Sequence, residues 1–183
     1  MLLAEVDAAL PRSAEQIEIV VVGGAALALR WNLRSTVDID VISEHVPAAL
    51  RNAAAIVAEE HGLAADWLND AAKGFTPAMD ALPSLVFSGD RLAVYAASDR
   101  FLLAMKLFAA RETDLVDCAF LADATGIDTA ADLVTLVEAA YRPRPLPPKV
   151  QYFADAVAQR RAGLPSLGRR PPPDPSGRTP QEP

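Results

Sequence analysis

Asp38 and Asp40 are two carboxylates separated by one aliphatic residue, in the run Asp38-Ile39-Asp40-Val41-Ile42. As a β-strand, that alternation turns both acids to one face and Ile39 and Val41 to the other, so the acids face a site and the aliphatics a core. Phosphoryl and nucleotidyl transfer need a cation on the triphosphate oxygens, and hard divalent metals take a few carboxylate oxygens for that purpose, with phosphate and water completing the shell. Upstream, Gly23 and Gly24 close the β-branched run Ile17 to Val22. Two glycines at a strand-to-helix turn let the backbone approach a triphosphate, whose charge is favoured by the amides and dipole of a helix N-terminus. An Asp-x-Asp alone is common at solvated strand ends, and a glycine pair alone is more often only a turn. The order strand, glycine pair, helix, acidic strand is much less common, and it sets amides and carboxylates around a shared phosphate position.

The elements that must position these residues follow from periodicity and punctuation. Ile17 to Val22 reads as a buried strand, Ala25 to Leu33 as a helix, Asp38 to Ile42 as the acidic strand, and Val46 to His61 as an amphipathic helix ended by Gly62. Leu85 to Phe87 and Leu92 to Tyr95 flank Ser88-Gly89-Asp90-Arg91, the composition of a hairpin. Beyond Ser98 the apolar spacing becomes helical over Phe101 to Ala110, Leu115 to Ala122, Ala131 to Ala140 and Val150 to Val157. The expectation is an α+β fold: a mixed-sheet half over 1–97, a helical subdomain over 98–162 that completes the site, and a disordered Pro-rich tail over 163–183.

Composition narrows the class. The chain has 183 residues, 51% of them hydrophobic and 22% charged, which suits a compact domain with a real core. A net charge of −7 argues against a protein that coats nucleic acid, because such proteins gain affinity by neutralising phosphates. The apolar stretches are too short to span a bilayer, and Glu5 and Asp7 stand where a secretory signal carries Lys or Arg, so no membrane association and a cytoplasmic location are expected. Cys118 is the single cysteine and reads as a small buried hydrophobe. His45 and His61 have no Cys or second His at metal-ligand spacing and read as surface or helix-end residues. Trp67 and Phe75 read as core aromatics, and Asp70 as a helix cap.

The spacing Gly-Gly, thirteen residues, Asp-x-Asp, with Arg34 and Thr36 just before the acids, resembles motif one of the AbiEii-type nucleotidyltransferase toxins. That group is a branch of the DNA polymerase β superfamily and includes the MenT toxins. The resemblance extends through Trp67-Leu68-Asn69-Asp70 and through Leu102-Leu103-Ala104-Met105-Lys106-Leu107 with Arg111, Asp114 and Asp117, about residues 15 to 125. It implies a polymerase β-like nucleotidyltransferase. Asp38 and Asp40 would be its ligands for Mg2+ or Mn2+, and Gly23, Gly24, Arg34, Thr36 and Lys106 its nucleotide-binding residues. One acid of the pair Asp114 and Asp117, preferably Asp117, would be the general base toward an acceptor hydroxyl. Ala25 stands where the family often has Ser or Thr, which leaves phosphate contact at that point to backbone amides. The bland alternative for Lys106 is a lysine snorkelling from a helix edge, and for Asp114 an acid favoured at a helix N-terminus.

By the same resemblance the substrates would be a nucleoside triphosphate and the 3′ end of tRNA, with a cognate antitoxin as partner. Two other readings remain: the same chemistry on a protein or small molecule, and a non-catalytic nucleotidyltransferase fold serving in binding or regulation. The basic residues Arg142, Arg144, Lys149, Arg160, Arg161, Arg169 and Arg170 could hold an RNA backbone or could be a solvated helix end. From composition alone, removing residues 164–183 should leave the melting temperature almost unchanged, since a polar Pro-rich segment adds no buried apolar surface. A thermal melt of the shortened chain checks this.

Overall fold

The computed structural model describes residues 2–12, 15–33, 36, 38–42 and 46–163. Arg34, His45 and the expected tail beyond Gly163, with Arg169 and Arg170, lie outside the described residues. The fold is α+β, a five-stranded mixed sheet followed by a helical C-terminal half. It divides into two compact units, one made of 2–74 and 83–96, the other of 75–82 and 97–163.

The first unit holds helix α1 (Leu2–Ala9), strand β1 (Ile17–Val22), helix α2 (Gly23–Trp31), strand β2 (Ile39–Ile42), helix α3 (Ala48–His61) and the short strand β3 (Leu68–Asn69). Strands β4 (Ser84–Ser88) and β5 (Leu92–Ala96) complete its sheet in the order β3-β2-β1-β5-β4. β1 lies between two different partners: it runs antiparallel to β2 and parallel to β5. A central strand buries both faces, which accounts for the near-continuous β-branched run Ile19-Val20-Val21-Val22. Trp67 is the core aromatic the sequence suggests, with its indole N–H donating to the Ala54 carbonyl at 2.8 Å. Gly62 ends α3 in the left-handed conformation at φ 65°, as a helix-terminating glycine does.

The β4–β5 hairpin forms across Ser88 to Arg91, and its turn is held from a distance in sequence. Helix α1, which carries Leu3 and Val6 into the core and packs against α3, brings the Asp7 carboxylate onto the turn. Asp7 Oδ1 accepts from the backbone N–H of Arg91 and of Leu92, each at 2.7 Å, and Oδ2 accepts from Asp90 N–H at 3.1 Å. A Cβ on Gly89 would overlap that carboxylate, so the glycine is what lets the acid approach.

The second unit contains α4 (Asp99–Ala109), α5 (Leu115–Thr125), α6 (Ala130–Tyr141) and α7 (Lys149–Ala162), with a 3-10 turn at Glu112–Asp114 leading into α5. α5 packs on α4 and α7, and α6 packs on α4 and α7. Ser98 caps α4 through Phe101 N–H and Thr129 caps α6 through Asp132 N–H. Tyr141 stacks on Phe108 with centroids 3.9 Å apart and donates its hydroxyl to the Phe75 carbonyl at 2.7 Å. Burial pushes the Tyr141 phenol well above its ordinary range.

Two expectations are corrected here. The Phe75 side chain is 53% exposed, because this segment contributes its backbone carbonyl to Tyr141. At the 3-10 turn Ala71–Phe75 the capping oxygen is Asn69 Oδ1, which accepts from Ala71 N–H at 2.8 Å, while the Asp70 carboxylate accepts from Lys73 Nζ at 2.8 Å. Because Asp7 satisfies three backbone donors at once, Asp7→Ala should lower unfolding free energy by about 2 kcal/mol or more, as measured by urea denaturation.

Candidate active site

The glycine pair and the paired acids are brought together by strand register. In the antiparallel pairing of β1 with β2, Val22 stands opposite Asp40, so the residue after Val22 turns directly beside that carboxylate. That residue is Gly23, whose φ of +65° is in the region only glycine enters at little cost. A Cβ on it would lie 3.2 Å from Asp40 Oδ2. Helix α2 begins at Gly23 rather than at Ala25, so both glycines belong to its first turn, with Val22 as an extended N-cap. The start moves upstream because the chain reverses at Gly23 itself and needs no separate loop.

Asp40 lies in β2 between buried Ile39 and Val41, so it takes the opposite face of the strand, and Asp38 immediately precedes the strand. Asp38 is exposed and Asp40 half-buried. Thr36 acts locally: its hydroxyl donates to the Asp38 carbonyl at 3.1 Å and accepts from Asp38 N–H at 3.3 Å, which holds the Asp38 backbone. Ala25 is buried in the unit, so a methyl group fits the packing there. In the last turn of α2, Arg30 is buried and donates to Ser84 Oγ at 2.5 Å, tying the helix to β4.

Two carboxylates one residue apart suit a hard divalent cation whose other ligands are phosphate and water. Gly23, having no Cβ, lets the strand-to-helix turn lie directly beside the Asp40 carboxylate. Among the described residues, the one set of three or more potential ligand atoms within 4.8 Å of one another lies elsewhere: Glu5, Glu60 and His61. Glu60 and His61 are exposed and Glu5 is half-buried, and His61 is engaged there by Glu5 at 2.5 Å.

In the second unit, Lys106, Asp114 and Asp117 meet. Lys106 sits in the last turn of α4 and is 8% exposed, so it does not snorkel to solvent. Its ammonium donates to Asp114 Oδ1 at 2.5 Å and to Asp117 Oδ2 at 2.9 Å, and both acid side chains are 13% exposed. Asp114 stands at the N-cap position of α5 but makes no side-chain cap bond there, because its carboxylate turns to Lys106. The spacing i, i+8, i+11 spans a helix end, a turn and a helix start, and carries no periodicity that marks the three as partners. Cys118 lies buried beside this group, and desolvation pushes its thiol well above the usual range, with Lys106 opposing and the two acids reinforcing the shift. It is an inert core residue, as the sequence suggests.

Several of the C-terminal basic residues have internal engagements. Lys149 donates to the Ala109 carbonyl at 2.7 Å at the end of α4, Arg161 pairs with Asp123 at 2.7 Å, and the Arg144 guanidinium lies 5.6 Å above the Phe108 ring. Arg142 and Arg160 are exposed.

A family described as "Nucleotidyltransferase of unknown function (DUF6036)" matches residues 1–137. The chain belongs to this family. The match covers β1, the glycine pair, both strand acids and the Lys106 cluster, so the paired-acid reading and the family coincide on the nucleotidyltransferase class. No curated protein and no solved structure matches the chain. Among the described residues, no helix is long and apolar enough to cross a membrane.

Because Lys106 neutralises two enclosed carboxylates, Lys106→Ala would leave two like charges buried against each other. The substitution should cost about 3 kcal/mol of stability, read by urea denaturation, where an exposed lysine would cost about 0.5 kcal/mol or less.

Proposed function

We propose that this nucleotidyltransferase moves a nucleoside monophosphate from a nucleoside triphosphate to an acceptor hydroxyl, releasing pyrophosphate. The observation that carries this reading is the register of β1 with β2, which sets the Gly23 turn and the α2 N-terminus against the Asp40 carboxylate. Anionic phosphate is favoured by the helix N-terminus, and two carboxylates beside it make chemical sense where a cation is shared between protein and phosphate. Asp38 and Asp40 would hold Mg2+ or Mn2+, which would supply positive charge against the charge that develops on the triphosphate. Gly23 and Gly24 would give the triphosphate close approach to backbone amides, and Thr36 holds the Asp38 backbone.

In this reading Lys106 contributes positive charge to the nucleotide phosphates, and Asp117 takes the proton of the acceptor hydroxyl. Arg34 is assigned to nucleotide binding by the motif it occupies. The acceptor we favour is the 3′ end of tRNA, with the chain acting as the toxin of a toxin–antitoxin pair and a cognate antitoxin as its partner. This rests on the resemblance of residues 15 to 125 to the AbiEii-type toxins. The exposed Arg142 and Arg160 suit contact with an RNA backbone.

The test is to incubate the purified chain with magnesium, each labelled triphosphate and total tRNA, and follow label into RNA. Asp38→Ala or Asp40→Ala should abolish transfer with the chain still folded, since each removes a carboxylate that would hold the cation. Transfer near the wild-type rate in either variant would remove the metal assignment.

A further inference from the structure

Helices α1 and α3 bring three donor atoms together at the surface of the first unit. Glu5 of α1 and Glu60 and His61 of α3 each offer one ligand atom, all within 4.8 Å of one another. Both helices are anchored: α1 buries Leu3 and Val6 and is tied to the hairpin turn through Asp7, and α3 buries Leu50, Ala53, Ala54, Val57 and Ala58. The donors therefore stand on rigid elements rather than on loops. Their charges do not balance. Two carboxylates face one imidazole, and among the described residues no Lys or Arg pairs with either acid. Glu60 also stands in the last turn of α3, where the terminal carbonyls of the helix disfavour a negative charge and favour a positive one.

We propose that Glu5, Glu60 and His61 form a surface site for a divalent transition-metal cation, zinc by preference, which links α1 to the end of α3. An imidazole nitrogen with two carboxylate oxygens suits zinc, whereas magnesium and calcium take oxygen ligands alone. Zinc bonds of about 2.0 to 2.1 Å set tetrahedral ligand atoms about 3.4 Å apart. The donor atoms bracket that spacing, with His61 Nε2 2.5 Å from Glu5 Oε2 and no pair farther apart than 4.8 Å. Small side-chain rotations bring all three onto one ion, and water takes the fourth position. The cation answers both the surplus carboxylate charge and the negative end of α3. This site differs in donor chemistry from the all-oxygen pair Asp38 and Asp40, and it stands whether or not the chain transfers nucleotides.

The test is a calorimetric titration of the metal-stripped chain with zinc, in excess magnesium so that all-oxygen sites are already filled. Wild type should take up one zinc per chain with a Kd of about 10 μM or tighter. At free zinc about a hundred times that Kd, it should melt about 5 °C higher than without zinc. His61→Ala and Glu60→Gln alter exposed side chains, so both should fold, and each should weaken zinc binding about tenfold or more and lose the thermal shift. If either does not fold, Glu5→Gln carries the same expectation. Asp38→Ala/Asp40→Ala should bind zinc as wild type does. A wild-type chain that takes up no zinc would overturn the proposal. So would unchanged affinity in His61→Ala or Glu60→Gln, or loss of zinc in Asp38→Ala/Asp40→Ala, since each would place the ion elsewhere.

Discussion

In the first unit, the pairing of Val22 with Asp40 constrains much of what surrounds it. With that register fixed, the next residue along β1 has to reverse the chain within reach of a carboxylate, and only a residue without Cβ does so at φ +65° and 3.2 Å. A slip of one residue would exchange the faces of β2, sending Ile39 and Val41 to the acidic side and both aspartates into the core. The burial of Ile39 and Val41 therefore enforces the direction of Asp38 and Asp40. Hydrophobic packing and the proposed chemistry are in this sense one specification, and Arg30 adds to it by tying the far end of α2 to Ser84.

The second unit shows a different use of charge. Most of its interior is aliphatic, from Leu102, Leu103 and Leu107 to Leu121 and Leu133, yet Lys106 is enclosed among them with two acids. Such a group is costly to desolvate and is a weak argument for stability. Its cost is offset where helix ends and hydrogen bonds meet each charge, which is the arrangement at the α4–α5 corner. The neighbouring contacts are more conventional: Lys149 meets the carbonyl end of α4, and Arg144 covers the Phe108–Tyr141 stack.

Much of the first unit is legible in the sequence because its signals are local. Ile17 to Val22 coincides with β1, Gly62 ends its helix, and Ser88-Gly89-Asp90-Arg91 marks the hairpin. The Gly-Gly and Asp-x-Asp elements are readable as a set because the residues that meet are joined by one short helix. Contacts made across long separations leave no such trace. Helix α1 escapes the reading, as Leu3, Val6 and Leu10 are too short a run to stand out, and nothing near Asp7 announces that its partners are Asp90, Arg91 and Leu92. Phe75 misleads because an aromatic side chain is read for its ring, while this residue contributes a carbonyl. Lys106 with Asp114 and Asp117 is legible as a motif but not as a closed cluster, since hydrogen bonding between side chains on different helices has no sequence period.

The parallel partnership of β1 with β5 bears on how the chain acquires its structure. Ile17 pairs with Leu92 and Val21 with Ala96, so the strand at the centre of the sheet has one edge filled by residues about 75 positions further on. Its other edge is filled by β2, only about 20 positions away. Closing the longer loop costs more chain entropy and delays the contact that rewards it. During synthesis, the strand pair carrying the aspartates can therefore assemble well before β5 emerges. Until it does, the β-branched edge of β1 stays open, and that interval is when this chain is most exposed to pairing with the wrong strand.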